Sequence, residues 1–354
     1  METRRLGTSD LELTVVGLGT WQFGGRWGGA DDADSEAACH AALDTGINWI
    51  DTADIYGQGR AEVVVGKVVR ERRDDVIVAT KGGVAWEMGA DGLNIWREAT
   101  GAYLRMALER SLTALQMDHV DLYQVHWPVN GVDAADTMGE LQHLRDEGKI
   151  RWIGVSNYHH DDLVAAHAVE PFVSVQMGYH VMRRKVEQAE IPWCADNGVG
   201  VLAYGPLAHG LLTGRMDEHT TFPGNDWRAA SELFADELFA DRIQVVRELQ
   251  AIASEAGRSG GVGELAVAWA LRLPAVTAAI IGAHDAAQAR GIAALAARPL
   301  SADEDAAIET VLAAHPAAAR EYGHGEPPQR ETVSRHSSAP LMVLLPRSSD
   351  RGFH

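Results

Sequence analysis

Residues 120–157 read VDLYQVHWPVNGVDAADTMGELQHLRDEGKIRWIGVSN. The stretch opens on a β-rich apolar run at 120–125. It continues through 138–147, where Met138, Leu141 and Leu144 recur at helical spacing, and returns to an apolar run at 152–155. A strand, an amphipathic helix and a second strand in that order form a βαβ unit, whose two strands lie parallel in one sheet. The same pattern extends in both directions. Eight apolar runs are found, at 15–18, 48–51, 76–80, 120–125, 152–155, 173–176, 199–203 and 278–281, each separated from the next by a segment long enough for a helix. The stretches 35–45, 103–115 and 242–256 show the same helical spacing, and Met106, Leu108, Leu112 and Leu115 read as core. Eight such units close most naturally into an α/β fold of the (β/α)₈ barrel type.

Three segments fall outside the repeat. Residues 2–16 read as a hairpin turning at Thr8-Ser9-Asp10, placed to plug the N-terminal end of the barrel. The connection 205–241, after the seventh strand, is far longer than the usual two to six residues and is expected to be a functional excursion. From Glu321 the chain turns to Gly, Pro, Ser, Arg and His, so residues 1–320 are expected to form the barrel domain and 321–354 a mobile tail with one apolar island, LMVLL at 341–345.

The composition bounds the function. Of 354 residues 46% are hydrophobic and 23% charged, enough for a large core. The formal net charge of −19 repels polyanions and argues against nucleic-acid or anionic-membrane binding as a general property. The two cysteines, Cys39 and Cys194, supply no disulfide framework and lack metal-ligand spacing. No apolar run reaches about 18 residues, and METRRLG does not lead into a signal-peptide core. A soluble, unexported, cytoplasmic protein is expected, with a small molecule as its partner.

In a barrel of this type chemistry is carried at the C-terminal ends of the strands. There the second strand ends in Asp51, followed by Thr52-Ala53-Asp54-Ile55-Tyr56-Gly57, the third ends in Lys81, and the fourth in His126, followed by Trp127-Pro128. A buried Lys81 ammonium is tolerable beside Asp51, and a cation near a phenol favours phenolate, which predicts a lowered pKa for Tyr56. His126 is then suited to orient a carbonyl oxygen against the Tyr56 hydroxyl. Together these groups polarise a C=O bond for attack by hydride.

DTADIYG at 51–57, IVATKGG at 77–83, DLYQVHWP at 121–128, GVSN at 154–157 and AYGPLAHGLLTG at 203–214 together resemble the aldo-keto reductases. The resemblance runs from about residue 3 to 312 and is closest to bacterial members whose long excursion carries an FP-x-x-D-x-R stretch, here 222–228. It implies a catalytic tetrad of Asp51, Tyr56, Lys81 and His126, and an extended nicotinamide dinucleotide across the top of the barrel. Ser156, Asn157 and Gln176 would bond the carboxamide, and Tyr204 would stack on the nicotinamide ring. Gly205, Pro206 and Leu207 would line the pyrophosphate path, with Arg215 adding positive charge and Arg228 reaching the adenosine phosphate. Gly19, Thr20 and Trp21 would lie near the nicotinamide ribose. At the last strand Gly282 and Gln288 match the family pattern. His284 stands where many members carry Arg or Ser, and Gly291 and Ile292 replace a Glu-Asn pair. From the charge balance of Arg228, His284 and Asp285 the expected cofactor is NADPH, with NADH as the alternative. Trp21, Tyr56, Trp86, His126 and Trp127, with Asn157 and residues 207–233 of the excursion, are expected to surround the substrate, an aldehyde, ketone or the corresponding alcohol.

Two other classes were weighed. A dinucleotide-binding redox sensor of the same fold would need no efficient turnover, which intact Tyr56 and His126 argue against. A barrel metallohydrolase is suggested by 15 histidines, but no His-x-His closes the first strand and Lys81 would oppose a cation.

Overall fold

The computed structural model of the chain describes residues 1–25, 31–89, 92–224, 226–234, 236–320, 322 and 327–329. Its first two strands, β1 (Thr3–Arg5) and β2 (Glu12–Thr14), pair antiparallel in the expected opening hairpin. The barrel begins with β3 (Val16–Gly19), β4 (Trp49–Asp51) and β5 (Ile77–Gly82). A second hairpin follows, β6 (Val84–Gly89) with β7 (Gly92–Arg97). The barrel then continues through β8 (Val120–Val125), β9 (Ile150–Ser156), β10 (Ser174–Gly178), β11 (Gly200–Tyr204) and β12 (Val276–Gly282). The eight barrel strands pair in parallel and close on themselves in the order β3-β4-β5-β8-β9-β10-β11-β12. All eight runs read from the sequence are strands, and the fold is the (β/α)₈ barrel.

The chemistry of the runs explains their place. β8 is buried at every position, which a strand covered by helices outside and side chains inside requires. The helix Gly101–Leu115 turns Leu104, Leu108, Leu112 and Leu115 inward, so those residues are core, and Met106 is only partly buried. At the N-terminal end Leu6, Leu11 and Leu13 of the opening hairpin pack with Trp49, Leu122, Val173, Leu202 and Ala278 inside the barrel. The hairpin tip is tied down by Asp10, which accepts from Trp152 Nε1 at 2.7 Å and Arg151 Nη2 at 3.0 Å. This end is a plug, which leaves the C-terminal end for the site.

The structure departs from the sequence reading in three places. β5 runs one residue past Lys81, to Gly82, and β8 stops at Val125, one residue short of His126. The β6–β7 hairpin was not foreseen, because Glu87, Met88, Leu93 and Asn94 are exposed and blur the alternation that marks a half-buried strand. The expectation of a mobile segment from Glu321 fails for Tyr322 and for residues 327–329. Tyr322 is buried, with its hydroxyl 2.6 Å from His180 Nε2. Arg97 of β7 donates from its backbone N–H to Pro328 O at 2.9 Å and from Nε to Pro327 O at 2.8 Å. The island LMVLL lies outside the described residues.

One ion cluster holds the last helices in place. Arg258 is buried and donates to both oxygens of Glu304, at 2.7 and 2.8 Å, and to Glu264 at 3.1 Å. It also donates to the carbonyls of Arg298 and Pro299. Glu304 closes a capping box with Ser301 at the start of the helix Ala302–Ala314, and Glu264 lies in the helix Gly261–Ala270.

Candidate active site

The strand ends converge at the mouth of the barrel on a cavity of about 460 Å³. Lys81 is buried in the wall behind it. Its Nζ donates to Asp51 Oδ2 at 2.6 Å and to the carbonyl of Thr52 at 2.9 Å, and lies 3.5 Å from the Tyr56 hydroxyl. Asp51, Tyr56 and His126 line the cavity. The Tyr56 and His126 rings meet edge to face with centroids 5.9 Å apart. The four residues singled out at the strand ends are therefore one cluster.

The electrostatics correct one expectation. Tyr56 is not a more acidic phenol: burial, then the charges of Asp51 and Asp54, hold its pKa well above 10. The physical reason is that Asp51 sits 2.6 Å from Lys81 and cancels much of its field at the hydroxyl, so desolvation wins. Lys81 itself is lowered by burial against the pull of Asp51. His126 is pushed well below its ordinary range by burial and by Lys81, so its ring is neutral, and its buried Nδ1 has no partner among the described residues. A protonated phenol beside a neutral imidazole is a pair of hydrogen-bond donors aimed into a cavity.

Two buried acids stand behind this cluster. Among the described residues neither oxygen of Asp54 has a hydrogen-bond partner, and Arg110 Nη2 lies 3.8 Å from Oδ2. Burial and neighbouring Glu62 push its pKa well up. Glu62 accepts from Thr80 Oγ1 at 2.6 Å, yet burial raises it to about 7. An acid whose pKa rises on folding stabilises the fold fully below its ordinary 4.5 and loses that contribution as pH climbs through about 7. We expect Glu62→Gln to remove this slope. The stability difference between variant and parent should change by about 3 kcal/mol across that window, at about 1.36 kcal/mol per pH unit. Urea titrations at several pH values read it directly; parallel curves would show that Glu62 is ionised throughout.

The remaining residues expected to bind cofactor all line the same cavity: Gly19, Thr20, Trp21, Ser156, Asn157, Gln176, Tyr204, Gly205, Pro206, Leu207, Arg215, Arg228, Gly282, His284 and Gln288. Asn157 adopts a left-handed backbone (φ +60°), and its side chain is committed to the wall. Nδ2 donates to His126 O and Ser156 Oγ, both at 3.0 Å, and Oδ1 accepts from the Tyr204 hydroxyl at 2.8 Å. Beyond Tyr204 the chain turns sharply through Gly205 (φ +65°), Ala208 (φ +45°) and His209 (φ +55°). Such backbone persists only where its surroundings hold it. Arg228 is paired with Asp226, at 2.6 Å between Nη2 and Oδ2, over the Phe222 ring. His284 is lowered by burial and by Arg228, and is neutral.

Of the residues expected to meet substrate, Trp21, Tyr56, His126 and Trp127 line the cavity and Trp86 does not. Trp86 sits on β6 under the Arg110 guanidinium, 4.5 Å from the ring centroid. The hairpin instead contributes Val84 and Ile95, Ile55 and Pro327 add walls that the sequence reading missed, and the 207–233 part of the excursion contributes His209. Burial, then Arg183 and Arg228, lowers His209 to about 3. Ile95 and Pro327 lie on the unforeseen hairpin and the docked tail segment.

Comparison with known proteins agrees with this geometry. The Aldo/keto reductase family matches residues 15–313. The chain is 38% identical over 316 residues to the aldo-keto reductase YhdN of Bacillus subtilis (strain 168), covering 88% of this chain and 94% of that one. It is 33% identical over 306 residues to an NADH-specific methylglyoxal reductase of Escherichia coli (strain K12), covering 82% and 92%. Among solved structures it resembles the glycerol dehydrogenase AKR11B4 of Gluconobacter oxydans, with a TM-score of 0.82, 36% identity, and 88% and 95% of the two chains covered.

Proposed function

The chain belongs to the aldo-keto reductase family, a family of oxidoreductases, and on that premise we propose that it interconverts an aldehyde or ketone with its alcohol, using Tyr56 as general acid and base. The observation that carries this reading is the meeting of Asp51, Tyr56, Lys81 and His126 at one wall of the strand-end cavity. Reduced nicotinamide, when bound, supplies the hydride. The residues present fit such a group: buried His126 Nδ1 has no partner among the described residues, and Gln176, Ser156 and the left-handed turn at Gly205 line the cavity.

The chain's own residues handle the proton. Tyr56 keeps its proton through neutral pH and donates it to the carbonyl oxygen as negative charge grows there; in the oxidation direction it takes the proton back. Lys81 stabilises the phenolate left after transfer, and Asp51 keeps the ammonium in place. His126, neutral, holds the oxygen by a second hydrogen bond. Preorganised donors of this kind in a water-poor site stabilise the developing charge more than water does. Trp21, Ile55, Val84, Ile95, Trp127 and Pro327 give the substrate an uncharged, largely apolar surround, which suits apolar or ring-bearing carbonyl compounds.

At the adenosine end the cofactor is NADPH, with NADH accepted. Arg228 carries the charge for a phosphate, but Asp226 shares it and His284 is neutral, so the preference is small. Asp226→Asn is expected to raise the NADPH-over-NADH ratio of kcat/KM by about tenfold, the effect of returning one charge-assisted contact to the ligand. An unchanged ratio would remove Arg228 from phosphate recognition. Oxidation of NADPH and NADH, followed by nicotinamide absorbance with an aromatic aldehyde, tests the reading itself. Turnover with either supports it, and binding of both without turnover would favour a sensor.

A further inference from the structure

Gln124 is fully buried in β8 and does not line the cavity, yet it touches the machinery that does. Asp51, as a carboxylate, only accepts hydrogen bonds. Lys81 occupies its Oδ2, and Gln176 Nε2 donates to its Oδ1 at 2.8 Å. The same Gln176 nitrogen lies 3.3 Å from Gln124 Oε1, and Gln124 Nε2 lies 3.5 Å from Asp51 Oδ1. Turning the Gln176 amide over would set its oxygen against both Asp51 Oδ1 and Gln124 Oε1, so the two acceptors together fix which end is nitrogen. Both hydrogens of that nitrogen are then engaged inside the barrel wall. Only Gln176 Oε1 is left for the cavity that Gln176 lines.

The barrel is built to admit this contact. Gln124, Gly154 and Ser174 are neighbours in register across β8, β9 and β10. A Cβ at Gly154 would lie 3.0 Å from Gln124 Cγ and 2.4 Å from Ser174 Oγ, so a larger residue there would displace the Gln124 side chain.

We propose that Gln124 is a positioning residue that locks the Gln176 amide with its oxygen toward the cavity, so that this wall position takes a hydrogen-bond donor, the NH₂ of the nicotinamide carboxamide. The proposal rests on the dinucleotide reading above and adds the polarity of one of its contacts and the residue that sets it. Without Gln124 one Gln176 N–H is released, and the amide is held only by its bond to Asp51, about which its oxygen can swing. Selection for a donor then weakens, while space for the ring is unchanged.

The test compares NADPH with its 3-acetylpyridine analogue, in which a methyl replaces the NH₂, by quenching of tryptophan fluorescence. The parent chain is expected to bind NADPH about tenfold more tightly than the analogue, the effect of leaving one buried acceptor without its donor. Gln124→Met should lose affinity for NADPH alone and bring the two dissociation constants within about threefold, with the analogue unchanged. Gln124→Glu, protonated beside Asp51 and so still presenting a carbonyl acceptor, should restore the discrimination. A structural role for Gln124 would weaken both ligands equally, and that result overturns the proposal. Equal binding of the two ligands by the parent chain overturns it as well. Should Gln124→Met fail to fold, loss of discrimination in a folded Gln124→Glu would overturn it and retention would support it. Binding of neither ligand by the parent chain would instead defeat the dinucleotide reading, and the inference with it.

Discussion

Replacing Tyr56 by Phe is expected to lower kcat by about 10²–10⁴-fold, the usual worth of a positioned general acid, while the dissociation constant for NADPH stays within about threefold. The substitution removes one oxygen, 3.5 Å from Lys81, and leaves the ring that meets His126 edge to face. It therefore deletes the proton donor without emptying the cavity wall. In free-energy terms the loss is about 3–5 kcal/mol of transition-state stabilisation. The raised pKa adds a pH signature: because Tyr56 holds its proton above pH 10, reduction should show no alkaline limb from this group below that value. Steady-state kinetics across pH, with fluorescence titration of the cofactor, separates the cases. Equal loss of rate and of cofactor affinity would make Tyr56 a packing residue.

The second large effect lies away from the site. Arg258→Met is expected to cost about 3–5 kcal/mol of stability, the range for removing one partner of a buried ion cluster. The arginine bonds Glu304 at both oxygens and Glu264 at one, and all three side chains are nearly inaccessible to water. These bonds hold Glu304 down at about 2. Without them two carboxylates remain buried, and the fold must admit water or protonate them. Arg258→Lys keeps the charge but not the paired geometry, and should fall between the two. Urea unfolding measures it; a loss below about 1 kcal/mol for the methionine variant would show that the helices Gly261–Ala270 and Ala302–Ala314 are held by apolar contacts alone.

Much of this arrangement is legible in residue order, for a physical reason. Barrel strands are covered on both faces, so they appear as apolar runs, and the polar residue that breaks a run at its C-terminal end is displayed to the cavity. Asp51 and His126 were found in that way, and Lys81 lies one residue before the end of its strand. What stayed hidden depends on pairing between distant segments. The β6–β7 hairpin has one exposed face, and its apolar residues line a wall only because the hairpin folds over the barrel mouth. Pro327 is held at the cavity by its carbonyl, which accepts from the side-chain Nε of Arg97, 230 positions away. The acidity of Tyr56 is not legible in sequence, because its largest cause is burial of the hydroxyl, followed by the charges of Asp51 and Asp54. The burial of Arg258 depends likewise on Glu264 and Glu304, which close around it from two helices.

The account's central claim is that the cavity carries a direct transfer from reduced nicotinamide to a carbonyl carbon. The measurement that tests it most directly is turnover of an aromatic aldehyde with NADPH carrying deuterium at both C4 positions, followed by mass spectrometry and proton NMR of the alcohol. We predict one deuterium per molecule on the carbinol carbon, with the hydroxyl proton drawn from water. Alcohol formed without deuterium at that carbon, or binding of both partners with no alcohol formed, would contradict it.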